Sequence, residues 1–440
     1  MLDIKLFRDE KEYKKILESE KKRNHNLEYA EKTKEYDSLW RKVKQTCEEK
    51  KAEKNKITKE IAERGKAKEN IEPLKEKAKA LDNDIKVLEQ KQTEYLELRD
   101  KYRNKVGNVL WHDVPYGKGE EENKLIKTWG KAKVQKKHLN NFKELSGNKM
   151  KFDEMTFEPK SHVDLGIEKD LFDLERAAKV SGARFYYLKN KLAILHISLL
   201  RFALDRLIKK GFTFMYTPVI INKETMEKTA ELEDFEETLY KVGDDQFLIA
   251  TAEQSLASFH MNEVLSKEAL PIKYTGLSNC FRREAGSHSK DTRGIFRVHQ
   301  FDKVEQYVFC LPEDSEKMHA ELIKNEEEII QELEIPYRLV NICSGDLNNT
   351  AAKKIDLEAW MPVQGTFREL GSGSITTDYQ TRNLNVKYED KKEKKVVHSL
   401  NCTTLASPRI LTAIIENFQD ETGTIHIPKA LHSYTGFDKI

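Results

Sequence analysis

The stretch FRREAGSHSKDTRGIFRVHQFDKVE, from Phe281 to Glu305, sets four arginines, two lysines and two histidines among four acids. Large apolar residues, Phe281, Ile295, Phe296, Val298, Phe301 and Val304, stand between them. A solvated face has no need of the aromatics, and an apolar core does not tolerate unpaired arginines. The composition fits a pocket for something polar, charged and flat. An arginine fork clamps a carboxylate or a phosphate at two points, and phenylalanine offers a stacking face. Strand alternation predicts Arg282 and Glu284 on one face, with Arg283 and Ala285 on the other. After a loop, GSHSKDTRG, a returning strand would carry Arg297, His299, Phe301, Lys303 and Glu305 along one face. One hairpin would then present Arg282, Glu284, Arg297, Phe301 and Glu305 together. A salt-bridged exposed hairpin accounts poorly for so many aromatics.

Other nucleotide-binding devices are absent. The chain has no GxxxxGK[ST] loop and no GxGxxG after a strand, and GSGS at Gly371 to Ser374 lacks the third glycine. HExxH and the kinase signatures are missing too. If the chain uses ATP, side chains on a sheet must hold the phosphates. The five cysteines, Cys47, Cys280, Cys310, Cys343 and Cys402, have no CxxC spacing. They indicate neither a zinc ribbon nor a redox pair and suit a reducing cytoplasm. No apolar run approaches bilayer-spanning length, so no membrane partner is expected. The charged N-terminus MLDIKLFRDEKEYKK lacks a signal-peptide core.

The 440 residues suggest two or three domains around these groups. The net charge of +2 hides a basic segment. Arg41 to Lys105 holds 20 Lys and Arg against 14 Asp and Glu, an excess of roughly +6 that suits a polyanion partner. Leu74, Leu81, Leu88, Tyr95 and Tyr102 recur every seven residues, with Ala78 and Ile85 at the intervening positions. Before them, Trp40, Cys47 and Ile61, with Tyr36, Val43 and Ile57, form a second seam that Lys50 and Lys54 interrupt. With Gly65 and Pro73 as punctuation, the two seams predict a long antiparallel helical hairpin over about 30–104. A dimerisation coiled coil is the plain alternative. The pairing within one chain and the basic excess favour an arm that grips a polyanion. The expected division is an N-terminal domain over 1–110, a linker over 111–165 and a catalytic domain over 166–440. The last should be α+β, on an antiparallel sheet with segregated helices. Leu171 to Phe212 reads as helical with Gly211 as a stop, TFMYTPVII as one strand, and 314–333 and 408–419 as helices.

The opening stretch resembles the second signature motif of the class II aminoacyl-tRNA synthetases, specifically the seryl type, FRxEaGsxxxDtrGlfRvHQFxKvE. LIKKGFTFMYTPVII, with Pro218, resembles the first signature, which forms the dimer interface in that family. ASPRILTAIIENFQ, with Arg409, resembles the third. TAEQSL from Thr251, FRELGSGS from Phe367 and HSLNCTTLASPR from His398 are also of the seryl type. The ordered set spans the whole chain.

The resemblance implies a homodimer that joins L-serine to tRNA(Ser) using ATP and Mg²⁺, with the N-terminal arm on the tRNA. It leaves tRNA(Sec) open as a second acceptor. It implies that Arg282 binds the α-phosphate and the serine carboxylate. Glu284 would hold the adenine amino group, beside Arg283. Arg297, Val298, His299 and Gln300 would line the adenine pocket, with Phe301 stacked on the base. Arg409 would clamp the γ-phosphate and cover the other adenine face. Glu369 and Ser372, with Leu370 and Gly371 between them, would bind Mg²⁺ on the phosphates. Thr251, Ala252 and Glu253 would receive the substrate ammonium. Glu305 and Thr403 would hold the serine hydroxyl, with Asn401 beside them. Taken singly, His299 reads as a structural histidine instead of a base. The chain departs from the family's S-x-S-N-C after Glu369, having Ser372, Gly373, Ser374, Ile375 and Thr376. It also has QTRN where the family has Q-A-R-R, so Asn383 replaces an arginine. A non-catalytic paralogue would have lost phosphate or metal residues, yet Arg282, Glu369, Ser372 and Arg409 all stand. A paralogue serving a carrier protein would have little use for a basic arm.

Overall fold

The heptad seams fold as an antiparallel helical hairpin, Glu28–Lys66 against Glu72–Asn104. In the computed structural model, which describes residues 1–229, 236–284 and 293–440, this hairpin belongs to the first of two compact units, Met1–Val109. Cys47, Ile57, Leu81 and Ile85 are the buried apolar residues of its two seams. Lys50 and Lys54, which break the apolar seam, pair across the hairpin with Asp84 (2.7 Å) and Asp82. The interruption is therefore an ion-pair seam. Near the open end, Tyr36 stacks on Tyr102 at 5.7 Å. Buried Asp37 takes two hydrogen bonds from Arg8 and one from Arg41, with Arg99 at 3.6 Å. Burial works to raise the Asp37 carboxyl, but the Arg8 bonds and the Arg8 and Arg41 charges outweigh it and hold its pKa low. Two short helices, Ile4–Arg8 and Glu10–Lys22, precede the hairpin.

The second unit, Leu110–Ile440, is built on an eight-stranded sheet. Its strand order is Lys124–Trp129, Tyr337–Asn341, Lys353–Met361, Thr366–Thr377, His398–Ala406, Gln300–Cys310, Ile272–Phe281 and Thr213–Tyr216. All pairs are antiparallel except the last. The helix Ser315–Glu332 packs on the strands Thr366–Thr377 and His398–Ala406, and Ser407–Asn417 packs on Asn190–Lys209. This matches the expected α+β class.

Several sequence expectations need correction. Leu171 to Phe212 is not one helix: Leu174–Ser181 ends at Gly182, whose φ of 98° favours glycine, and Asn190–Lys209 follows a short two-stranded ladder. TFMYTPVII is two strands, Thr213–Tyr216 and Ile220–Asn222, in different sheets, with Pro218 in the break. The segment expected as linker contributes the edge strand Lys124–Trp129 to the main sheet. The central hairpin pairs only as far as Phe281 opposite Gln300, so Arg282 to Glu284 and Arg297 to His299 lie beyond the ladder. Ala285 and most of the expected loop fall outside the described residues.

Candidate active site

Beyond the last ladder pair the two chains diverge. The Phe281 N–H donates to Ile249 and the Arg282 N–H to the His299 carbonyl. Glu284 turns back with φ 48°, and its Oε2 accepts from Arg297 Nη1 at 2.9 Å. The two residues thus meet without strand alternation. Arg282 lies over the Phe301 ring at 5.4 Å and donates from Nε to the Ala250 carbonyl at 3.2 Å. Arg282, Glu284, Phe296, Arg297, Val298, Phe301, Ala406, Pro408 and Arg409 line one cleft. Arg283, His299 and Gln300 do not. Arg283 turns to the Tyr240 ring, and His299 Nδ1 bonds the Tyr240 hydroxyl. Gln300 is exposed at the strand start. Burial, followed by the nearby Arg184 charge, lowers the His299 pKa, which suits a neutral structural histidine.

Arg409 opens the helix Ser407–Asn417 directly after Pro408, a residue suited to the first helical turn. Its Nη1 donates to the Glu369 carbonyl at 3.0 Å and pairs with Glu369 Oε1 at 3.2 Å. Enclosure acts to raise the Glu369 carboxyl, but Arg409, Lys354 and Arg282 together bring it down to about 2. Glu369 and Ser372 are three residues apart, so plain alternation would put them on opposite faces. A register shift sets Glu369 opposite Glu358 and Ser372 opposite Asp356, two positions that share a face. Buried Asp356 adds an Oδ1 with no hydrogen-bond partner. These hard oxygens fit Mg²⁺. Among the described residues no three His, Cys, Asp or Glu converge as a metal site, so other ligands would come from phosphate and water. Leu370 packs in the main core. Gly371 and Gly373 back onto the helix Ser315–Glu332. A Cβ at Gly371 would strike Glu326 and the Thr403 carbonyl, and one at Gly373 would meet Ile323 at 2.5 Å. Packing against this helix accounts for glycine at both positions.

Outside the cleft lining, Thr251 caps the helix Ala252–Ser258 by accepting from the Glu253 N–H, which fixes the base of Glu253. Glu253 Oε1 accepts from Gln380 at 2.7 Å and Oε2 from Asn401 at 3.0 Å. Ala252 is buried behind it. Burial, then the Glu305 charge, raises the Glu253 pKa. Glu305 is fully buried; Thr403 Oγ1 and Asn401 Nδ2 donate to it at 3.3 and 3.4 Å. A second register shift places Thr403 opposite Glu305 and leaves Thr404 as the extra residue. Sequence reasoning passed over Lys303, whose Nζ pairs with Glu305 at 2.6 Å. Its signal was present, since Lys303 and Glu305 alternate on one strand face. Gln380 and Phe296 were also missed as site residues, although Gln380 opens QTRN and Phe296 lies within the second signature motif.

A family model described as the seryl-tRNA synthetase N-terminal domain matches residues 1–110. Another, the tRNA synthetase class II core domain (G, H, P, S and T), matches residues 237–418. The chain is 46% identical to a serine–tRNA ligase of Picrophilus torridus, over all of this chain and 99% of that one. It is 47% identical to that of Thermococcus sibiricus, over all of this chain and 97% of the relative. The crystal structure of seryl-tRNA synthetase from Pyrococcus horikoshii complexed with ATP superposes with a TM-score of 0.95 at 46% identity. That match covers 100% of this chain and 99% of the other. A cytoplasmic serine–tRNA ligase from Naegleria fowleri in complex with AMP gives 0.87 at 37% identity, covering 100% and 98%.

Proposed function

From the premise that the chain belongs to the seryl-tRNA synthetases, ATP-dependent class II enzymes that ligate serine to tRNA, we propose which of its residues perform each part of that reaction. The observation that carries the reading is the cleft lined by Arg282, Glu284, Phe296, Phe301 and Arg409, in which Arg282 lies over the Phe301 ring and its charge acts on both Glu253 and Glu369. In the first step a serine carboxylate oxygen attacks the α-phosphorus of ATP, and the bond to pyrophosphate breaks. Both reactants are anionic, so Arg282 between them offsets their repulsion. Phe301 and Phe296 stack on the adenine, Glu284 accepts from its amino group, and Val298 closes the pocket. Arg409 takes the distal phosphates. Glu369 and Ser372 would hold Mg²⁺, which would neutralise phosphate charge when bound. In the second step a ribose hydroxyl at the tRNA 3′ end attacks the acyl carbon, and AMP leaves. Positioning supplies most of the rate, and activation itself needs no general base.

Glu253, with Thr251, receives the serine ammonium. Glu305 and Thr403 select the hydroxyl, with Asn401 bridging the two carboxylates. Alanine would bury these polar groups without the hydroxyl hydrogen bonds that serine supplies, which costs more than a missing methylene. Glu305→Ala tests the assignment by serine-dependent pyrophosphate exchange. The change also strands the Lys303 ammonium, so folding of the variant is checked first. In the folded variant, loss of a charge-assisted hydrogen bond to serine, worth about 1.5–3 kcal/mol, should lower kcat/KM for serine at least about tenfold. The ATP KM should stay nearly constant and discrimination against alanine should weaken. Raised ATP KM with unchanged serine KM and alanine rejection would refute the assignment.

The N-terminal helical hairpin, through its basic excess, grips tRNA(Ser). The dimer surface comprises the Asn190–Lys209 helix and the Thr213–Tyr216 edge strand. Exposed Ile194, Ile197, Phe214 and Tyr216 support it.

A further inference from the structure

Gln380 lies on the short helix Tyr379–Asn383 and is 2% exposed. Its Nε2 donates to Glu253 Oε1 at 2.7 Å, while its Oε1 accepts from the Tyr307 hydroxyl at 3.2 Å. Tyr307 is fully buried, and beside Gln380 and Glu253 its hydroxyl is also coupled to Ser399. Turning the Gln380 amide over would aim its carbonyl at the Glu253 carboxylate. The Tyr307 bond holds it in the donating orientation. With Asn401 on Oε2, each Glu253 oxygen accepts one protein N–H and keeps a lone pair for a further donor.

We propose that Gln380, anchored by Tyr307, is a positioning residue that holds Glu253 ionised and aimed at the amine of the amino-acid substrate, and so sets serine affinity. The inference rests on the assignment of Glu253 to that amine. The groups facing Glu253 are Glu305 and Lys303 from the strand Gln300–Cys310, Arg282 beyond the ladder, Asn401 from the strand His398–Ala406, and Gln380. Burial and Glu305 push the Glu253 carboxyl toward its protonated form, while Gln380, Lys303 and Arg282 oppose them. Without the Gln380 donor, Glu253 takes up a proton at higher pH and loses its hold on an ammonium.

The test uses the full chain and serine-dependent pyrophosphate exchange across pH. For Gln380→Met, the serine KM should rise about three- to tenfold with the ATP KM within about twofold. The acid limb of kcat/KM for serine should move to higher pH. Tyr307→Phe, which removes only the anchoring hydroxyl, should move both readouts the same way by less, and it decides the matter if Gln380→Met does not fold. An unchanged serine KM and acid limb in either folded variant, or equal rises in the serine and ATP KM, would overturn the proposal. Glu253→Gln separates the two levels. If it leaves the serine KM unchanged, the amine assignment fails and the inference with it. If it raises the serine KM while Gln380→Met does not, only the positioning role fails.

Discussion

Lys303 and Glu305 are a buried ion pair, 7% and 0% exposed at their side chains, in the floor of the proposed serine site. Lys303 also donates to Thr403 at 3.3 Å, so one ammonium holds both groups proposed to read the substrate hydroxyl. Such a pair contributes little net stability, but removing one partner strands the other charge in the interior. Lys303→Met should therefore destabilise the fold by about 3–5 kcal/mol in denaturant unfolding. The double variant Lys303→Met with Glu305→Gln should recover much of that loss. If the double variant is no more stable than the single one, the pair is not the cause.

Elements meet the site through two glycines and one glutamate. Gly371 and Gly373 let the strand Thr366–Thr377 lie close on the helix Ser315–Glu332, whose buried Glu326 accepts from Cys402 Sγ at 3.4 Å. Burial raises the Glu326 carboxyl well above its ordinary value, which favours its protonated form. Because the folded value is raised, its contribution is fully present below the unfolded pKa and is lost as pH rises toward the folded one. Glu326→Gln keeps the shape and removes the titration. Thermal unfolding of the variant and the parent should differ by a constant amount only below about pH 4, under the unfolded carboxyl pKa. The variant should then gain progressively, reaching at least about 1 kcal/mol at alkaline pH. A constant difference across pH would show that Glu326 is not the titrating group.

For the whole molecule, the proposed roles predict that the two units carry separable tasks. The hairpin root, with Asp37 and buried Arg99 and Arg103, belongs to the packing of the N-terminal unit. Deleting 42–94 with a short turn in their place spares that root. The deletion should leave serine-dependent pyrophosphate exchange within about twofold and reduce tRNA charging by more than about a hundredfold. In the intact chain, tRNA binding should weaken steeply with salt, as phosphate neutralisation requires. Equal loss of both activities would argue against an arm that serves only tRNA. The exposed apolar residues of Asn190–Lys209 and Thr213–Tyr216 should be covered in a symmetric dimer, so sedimentation at micromolar concentration should report two chains. A fully active monomer would contradict that.

The sequence by itself determined the helical hairpin, because a seven-residue apolar period has few other solutions. It also determined the α+β class and the types of charged residue the cleft would gather. It could not determine faces. Glu369 and Ser372 share a face only through a register shift against Lys353–Met361, and Thr403 meets Glu305 only through another against Gln300–Cys310. A shift of one residue reverses every side chain beyond it, and it is set by pairing between strands distant in the chain. The same holds for Gln380, which lies 127 residues from Glu253. Nothing in the local pattern around Gln380 distinguishes a buried donor from a solvated one. Folding the sheet places it where a carboxylate needs that hydrogen bond.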